Sequence, residues 1–518
     1  MKWILLSLLQ FVAASGASAG TLSIRILDEN GLPVPARVYL KDSQGKPLFA
    51  PGSYVYDRQR HNTSEQFFVP PRGTFHLEAP QGELRIEIER GKEYLPVRDA
   101  IRVPESGPVE KTYRLKRWVS MNSLGWYSGD MHPHPPLKHI ENLMDAEDLN
   151  ITVPMTRWRV GGTRPGRLSE DPDLKTFLAR ADDRGYVRAG KARWFSVINE
   201  ELESTTSALL VSHLGRQGTA LDFPFPSYAK EARSRGGLLD SEKPTAYETP
   251  VLAATGGIDV MGLANNHFWR TGCFAAPWGL WPENVLSTYP ATCGGFARAG
   301  LELYYALLNL GVPLKPSAGS AHGVHPVPMG WSRIYAHSPN LPDPEAWFQA
   351  VRAGRTFVTT GPMLLLRVAG HEPGDEVRGK KFPADVTAEL QFLSSMPPQS
   401  AEIVVNGQPR EIQLKPDGGN STRFSGRIGL KLTGSSWIAA RWIHEHDGTV
   451  DLAHTAPVYF WNGSEPIPYR RGEVEYFLRR IEKMKADVGA DNPNRELQLQ
   501  ALRDAENFYR TKLSSAPR

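Results

Sequence analysis

The chain has almost no cysteine: Cys273 and Cys293 are the only two among 518 residues. Two thiols cannot build a thiolate metal cluster or a disulfide-dense scaffold, although in an oxidising compartment they can close one loop. Charge of one sign is lacking too. Lys and Arg number 60 against 56 Asp and Glu, a formal net charge of +4, and no basic block tracks a phosphate backbone, which argues against a nucleic-acid partner. Past the N-terminus no apolar run reaches the about 18 residues of a membrane-spanning helix. What the chain has in plenty is turn formers, 47 Gly and 42 Pro. They are spread along the sequence rather than clustered, which excludes a collagen, a coiled coil and one large disordered segment.

At the N-terminus, Met1-Lys2 is followed by an apolar stretch from Trp3 to Ala14 and then by Ala17-Ser18-Ala19. A positive start, an apolar centre too short to span a bilayer and a small-x-small site predict a signal peptide over 1–19. The mature chain is then periplasmic or secreted, with no membrane anchor.

Four segments follow. Over 20–118 short alternating runs such as Thr21–Leu27 and Leu84–Ile88 are divided by turns, for example Asp28-Glu29-Asn30-Gly31, which predicts a β-sandwich. The run around Asp28 to Val38 resembles the carboxypeptidase regulatory-like modules. Over 119–370 apolar strand-like runs ending in polar or His-containing stretches alternate with helical patterns such as Leu137–Leu149, Gly300–Leu310 and Pro344–Ala353. That grammar predicts an α/β unit of β/α-barrel size. Over 371–465 strand-like runs return as a second β-sandwich. Over 466–518 Val474, Phe477, Ile481, Met484 and Val488, then Leu502, Ala505 and Phe508, recur at helical spacing as a tail packed on the body.

The chemistry lies in the segment 119–370. In Gly129-Asp130-Met131-His132-Pro133-His134, positions i and i+2 of an extended chain share a face, so His132 and His134 can reach one cation, with Asp130 in phase. Compatible groups end later strand-like runs: Glu201 and Glu203 after Ser196–Asn199, His213 after Ala208–Ser212, His267 after Asp259–Asn266, and His322 with His325 after Pro316–Ala321. Imidazoles with carboxylates suit Zn, Mn or Fe.

Through these residues the segment 119–370 resembles the PHP (polymerase and histidinol phosphatase) superfamily, and within it the CehA/McbA-type metallohydrolases. The likeness spans roughly 120–370 and includes Asn265-Asn266-His267 and Ala353–Leu366. It implies a multidomain α/β plus all-β chain whose PHP-type distorted (β/α)7 barrel is flanked by the two sandwiches and the helical tail. It also implies a centre of two or three divalent ions held by His132, His134, Glu201, His267 and His322, to which His213 is added from its place at a strand end. One departure stands out: Ser320 occupies the position where the resemblance calls for an Asp, which removes an anionic ligand.

The expected activity is an exported metal-dependent hydrolase that turns activated water on an ester, carbamate or phosphoester of a small molecule. Asp130, Asp148 and His325 are the candidate proton carriers, and Arg157, Arg159 or Arg270 the candidate anion holders. The competing expectation is a non-catalytic secreted protein that binds carbohydrate or protein, with some of the 13 Trp as stacking platforms.

Overall fold

The computed structural model describes residues 19–55, 66–161, 167–204, 207–219, 225–274, 287–325, 327–339, 343–379, 381–398 and 400–515. The expected signal peptide falls outside them apart from Ala19. Among the described residues no helix is long and apolar enough to cross a membrane.

The N-terminal module is two sheets around its own core. Strand Ala19–Leu27 buries Leu22, Ile24 and Ile26 and turns Thr21 and Arg25 outward, the period-two pattern of a half-covered sheet. It lies between Thr74–Pro80 and Val109–Arg114. A five-stranded sheet built on Arg37–Lys41 and Gly82–Glu89 closes over it, with Val38, Leu40, Ile86 and Ile88 in the shared core. Ion pairs tie this module to the central segment: Arg37 reaches both Glu89 and Glu147, and Arg117 reaches Asp148 at 2.8 Å.

The central segment is not the expected (β/α)7 barrel. Among the described residues most of its strands divide between two large sheets, with a separate two-stranded ribbon over 268–273, and the fold is 39% strand against 22% helix, unlike a barrel that places a helix after each strand. In one sheet Trp126–Asp130 runs parallel to Ile151–Thr152 but antiparallel to Arg333–His337. In the other, Glu200–Glu203, Ala208–Ser212 and Leu238–Ser241 pair antiparallel in succession. The physical reason is connection length. Only residues 204–207 join Glu200–Glu203 to Ala208–Ser212, and a parallel return needs a crossover of about a dozen residues or more.

The first of these sheets runs on past residue 370. Thr356–Thr359 pairs with Thr449–Thr455, which pairs with Ser436–His446 and so with Ala401–Val405. A four-stranded sheet led by Met363–Val368 and Ala384–Leu393 packs over this end, burying Leu366, Leu390, Ile403 and Ile438. Helices Arg471–Asp487 and Arg495–Ser515 then lie against each other and the body. They bury Val474, Phe477, Ile481, Leu502 and Ala505, and the Tyr509 hydroxyl donates to the Pro250 carbonyl at 2.9 Å. Cys273 and Cys293 form a disulfide at the head of helix Cys293–Asn309.

Candidate metal centre

Strand Trp126–Asp130 delivers the His-x-His segment, and the turn after Lys315–Ala318 clamps it. Met131 N–H donates to Ala318 O at 3.0 Å and His134 N–H to His322 O at 2.5 Å. Gly319 lies flush against His132, where a Cβ would stand 2.3 Å from the His132 Cβ. Gly323, at φ +102°, lies against the His134 carbonyl in the same way. The buried Asp130 carboxylate accepts from His132 N at 3.0 Å, Ser320 N at 3.1 Å, Ser320 Oγ at 2.5 Å and Gly330 N at 2.7 Å. It is the anchor that fixes both sides of the clamp.

Glu201 comes from the other sheet. Its strand runs parallel to Arg157–Val160, which sets Trp158 opposite Glu201. The Trp158 ring packs 5.0 Å from that of His134, and its indole N–H donates to Glu203 Oε2 at 2.9 Å.

Three donor atoms converge. His132 Nε2 and His134 Nε2 are 2.9 Å apart, and Glu201 Oε2 lies 3.0 Å from the second and 3.4 Å from the first. Ligands at 2.0–2.1 Å from one cation are separated by about 2.9 Å in octahedral and about 3.3 Å in tetrahedral geometry. The residues therefore fit a divalent cation. Burial opposes ionisation of Glu201, but the two imidazoles overcome it and hold this carboxyl well below the usual range. Burial likewise disfavours a charged His132, yet Glu201 raises its pKa. Burial, with Glu201 and Glu242 beside it, pushes Glu203 up to about 8.

Around this trio stand groups absent from the sequence-based set. Glu242 Oε1 lies 3.6 Å from His132 Nδ1 and is ion-paired with the buried Lys243. Ser317 Oγ donates to Asp240 at 2.6 Å, and burial pushes that carboxyl up to about 7. The one signal for them in the chain is the acidic ending of Leu238-Leu239-Asp240-Ser241-Glu242, a pattern shared with many surface loops.

The expected His267, His322 and His325 lie outside the three-residue group but line its surroundings, His322 as part of the clamp on His134. His267 is buried with its ring stacked on Phe296 at 5.3 Å, and burial followed by the nearby Lys243 holds it well below the usual histidine range. His325 faces His267, with ring centres 6.2 Å apart. His322 puts Nδ1 2.9 Å from Val327 O, and its ring meets the edges of Phe68 and Tyr54 from the N-terminal module. Burial pushes it down to about 4.

His213 is not part of the centre. Antiparallel pairing sets the end of Ala208–Ser212 beside the start of Glu200–Glu203, so His213 emerges at the far edge, with Nε2 2.8 Å from Glu345 and its ring on Phe348. Asp148 is also misplaced for proton transfer, because it follows helix Leu137–Ala146 on the side of the N-terminal module and pairs with Arg117 and Arg193 at 2.8 Å each. Asp130 has its oxygens committed to four donors and carries the clamp rather than a proton. Arg157 pairs with Glu200 and Glu170, and Arg270 with Glu87, so neither extends toward a ligand at the trio.

The arrangement defines a β-rich, multi-sheet protein with a candidate cation site at the seam of its two central sheets. No protein-family model matches the chain, and no curated protein does. Among solved structures it is similar to a Streptococcal ancillary pilin at 9% identity and a TM-score of 0.16, over 23% of this chain and 38% of that one. A likeness that loose carries no argument about fold or function.

Proposed function

We propose that the chain is a metal-dependent hydrolase that directs water at an ester, carbamate or phosphoester bond of a small molecule. The observation that supports this most is the buried trio of His132, His134 and Glu201, with donor separations of 2.9, 3.0 and 3.4 Å. The local likeness of Gly129–His134 and Asn265–His267 to CehA/McbA-type metallohydrolases supports the ester chemistry. A divalent cation held there supplies an electrophile and makes water nucleophilic near neutral pH. The residues do the rest. Glu242 Oε1, 3.6 Å from His132 Nδ1, lends negative charge to that side of the imidazole while Nε2 faces the other two donors. Trp158 stiffens His134 from the side, and the low exposure of all three donors keeps bulk water out. Imidazole and carboxylate donors suit Zn, Mn or Fe.

Export belongs to the same reading, supported by the Met1–Ala19 pattern and by a disulfide that calls for an oxidising compartment. The test is metal analysis of the purified protein together with turnover of aryl esters, carbamates and phosphodiesters by wild type and by the H132A/H134A variant. Stoichiometric metal, and turnover abolished in the variant, are expected. A metal-free wild type, or a variant as active as wild type, ends the proposal.

A further inference from the structure

A cavity of about 220 Å³ lies between the end of strand Arg333–His337 and the four-stranded sheet led by Met363–Val368, and no residue of the trio lines it. Leu124, Trp126 and Leu365 form its apolar side, and His337 and Glu372 are among its polar groups. An apolar cavity of about 150 Å³ takes one benzene. There is room here for a single substituted ring.

Antiparallel pairing sets His337 directly opposite Trp126, so the two side chains stand on one face. Their rings stack with centres 4.8 Å apart and planes 18° apart. His337 Nδ1 lies 3.0 Å from Glu372 Oε2, and the other Glu372 oxygen accepts from Arg367 at 2.6 Å. A carboxylate held in this way accepts, so Nδ1 carries the proton and the neutral imidazole keeps its lone pair on Nε2. Among the described residues no protein group donates to that nitrogen. Gly125 leaves space beside it, since a Cβ there would stand 3.2 Å from Nε2. The imidazole is therefore fixed by its face and by Nδ1, with one acceptor left for a ligand.

Charge around the cavity is matched locally, because Glu372 pairs with Arg367 and Glu389 with Arg427 at 2.9 Å. A neutral ligand suits such a lining better than an ion, which would lose its hydration without a counter-charge. The ligand needs a compact apolar body and one donor. A phenol supplies both, and its hydroxyl, with a pKa of about 10, is a stronger donor than that of an aliphatic alcohol.

We propose that this cavity binds a small neutral phenol, with its ring against Leu124, Trp126 and Leu365 and its hydroxyl donating to His337 Nε2. The site is independent of the trio and of any metal there.

The test titrates full-length protein by calorimetry at about pH 8, with p-cresol and separately with its methyl ether, which has the same ring but no donor. Saturable one-to-one binding of p-cresol is expected, with the ether about tenfold weaker. H337F keeps an aromatic ring on Trp126 but has no Nε2, so p-cresol is expected to fall to the affinity of the ether. L365F fills the cavity from the sheet side and is expected to abolish binding of both, and it serves if H337F does not fold. EDTA is expected to leave the wild-type titrations unchanged. A wild type that shows no saturable binding, or binds both compounds alike, overturns the proposal. So does a preference for p-cresol that survives in H337F, or binding that survives in L365F. Binding lost on chelation would place p-cresol at the trio and overturn the separate site.

Discussion

Replacing Gly319 with Ala tests whether the clamp, and not only the ligands, builds the centre. The added Cβ would stand 2.3 Å from the His132 Cβ and 3.0 Å from its backbone nitrogen. Carbon atoms pack comfortably at about 3.5–4.0 Å, so His132 or the turn must retreat by about 1.2 Å or more. Neither can swing away as a flexible side-chain tip would, because His132 N–H and Ser320 N–H are both fixed on Asp130. Two costs follow. Overpacking removes about 1–3 kcal/mol of stability, and a displacement near 1 Å at a reacting centre lowers activity by about 100-fold. G429A is the matched control, since Gly429 is exposed in strand Asn420–Leu432 with nothing within 4 Å of its added methyl. Urea denaturation gives the stability term, and Mn(II) titration followed by turnover gives the site term. A G319A protein that binds metal and turns over like G429A would refute the reasoning.

Other perturbations have outcomes of known sign. Burial, opposed by the Thr455 carbonyl, pushes His454 down to about 3, with Nδ1–H donating to Thr455 O at 2.6 Å and the Tyr305 hydroxyl donating to Nε2 at 2.8 Å. A depressed folded pKa means that the unfolded chain binds the proton first, so this contribution is complete above pH 6.5 and is lost as pH falls toward 3. At pH 5 the loss is about 2 kcal/mol, and H454Q is expected to flatten the stability profile below pH 6.5 by that amount in denaturant titrations. The double variant C273S/C293S opens a loop with a sequence separation of 20, which on chain entropy costs about 3 kcal/mol and is read as an equal loss in wild type under reductant. R37M strands Glu89 and Glu147 without their shared guanidinium, a loss of about 3–5 kcal/mol by urea melt, of which E147Q in the same chain recovers part.

How much of this was legible in the sequence depends on whether the governing contact is local. The alternation of Thr21–Leu27 foretells the inward Leu22, Ile24 and Ile26, because a strand with one solvated face writes its period into the chain. The spacing of Val474, Phe477 and Ile481 does the same for the tail helices. The direction of Ala208–Ser212 is written nowhere in its own residues. It is buried on both faces, as a parallel strand would be, and only the shortness of 204–207 turns it back. The barrel expectation fails there. His213 fails with it, since a residue at the end of a strand reaches the site only if the strand points that way.

The trio and its neighbours divide along the same line. His132 and His134 are two residues apart, and extended geometry alone brings them to one face. Glu201 follows from a second strand end, but Lys243 and Glu242 come into reach only through the pairing of Leu238–Ser241 with Ala208–Ser212. At position 320 the Ser hydroxyl donates to Asp130, a contact between residues 190 apart that the local sequence does not announce. With four donors on its oxygens, Asp130 has little capacity left for a cation. Asp130 is thus a structural anchor, because the four donors that fix both sides of the clamp all converge on its one carboxylate.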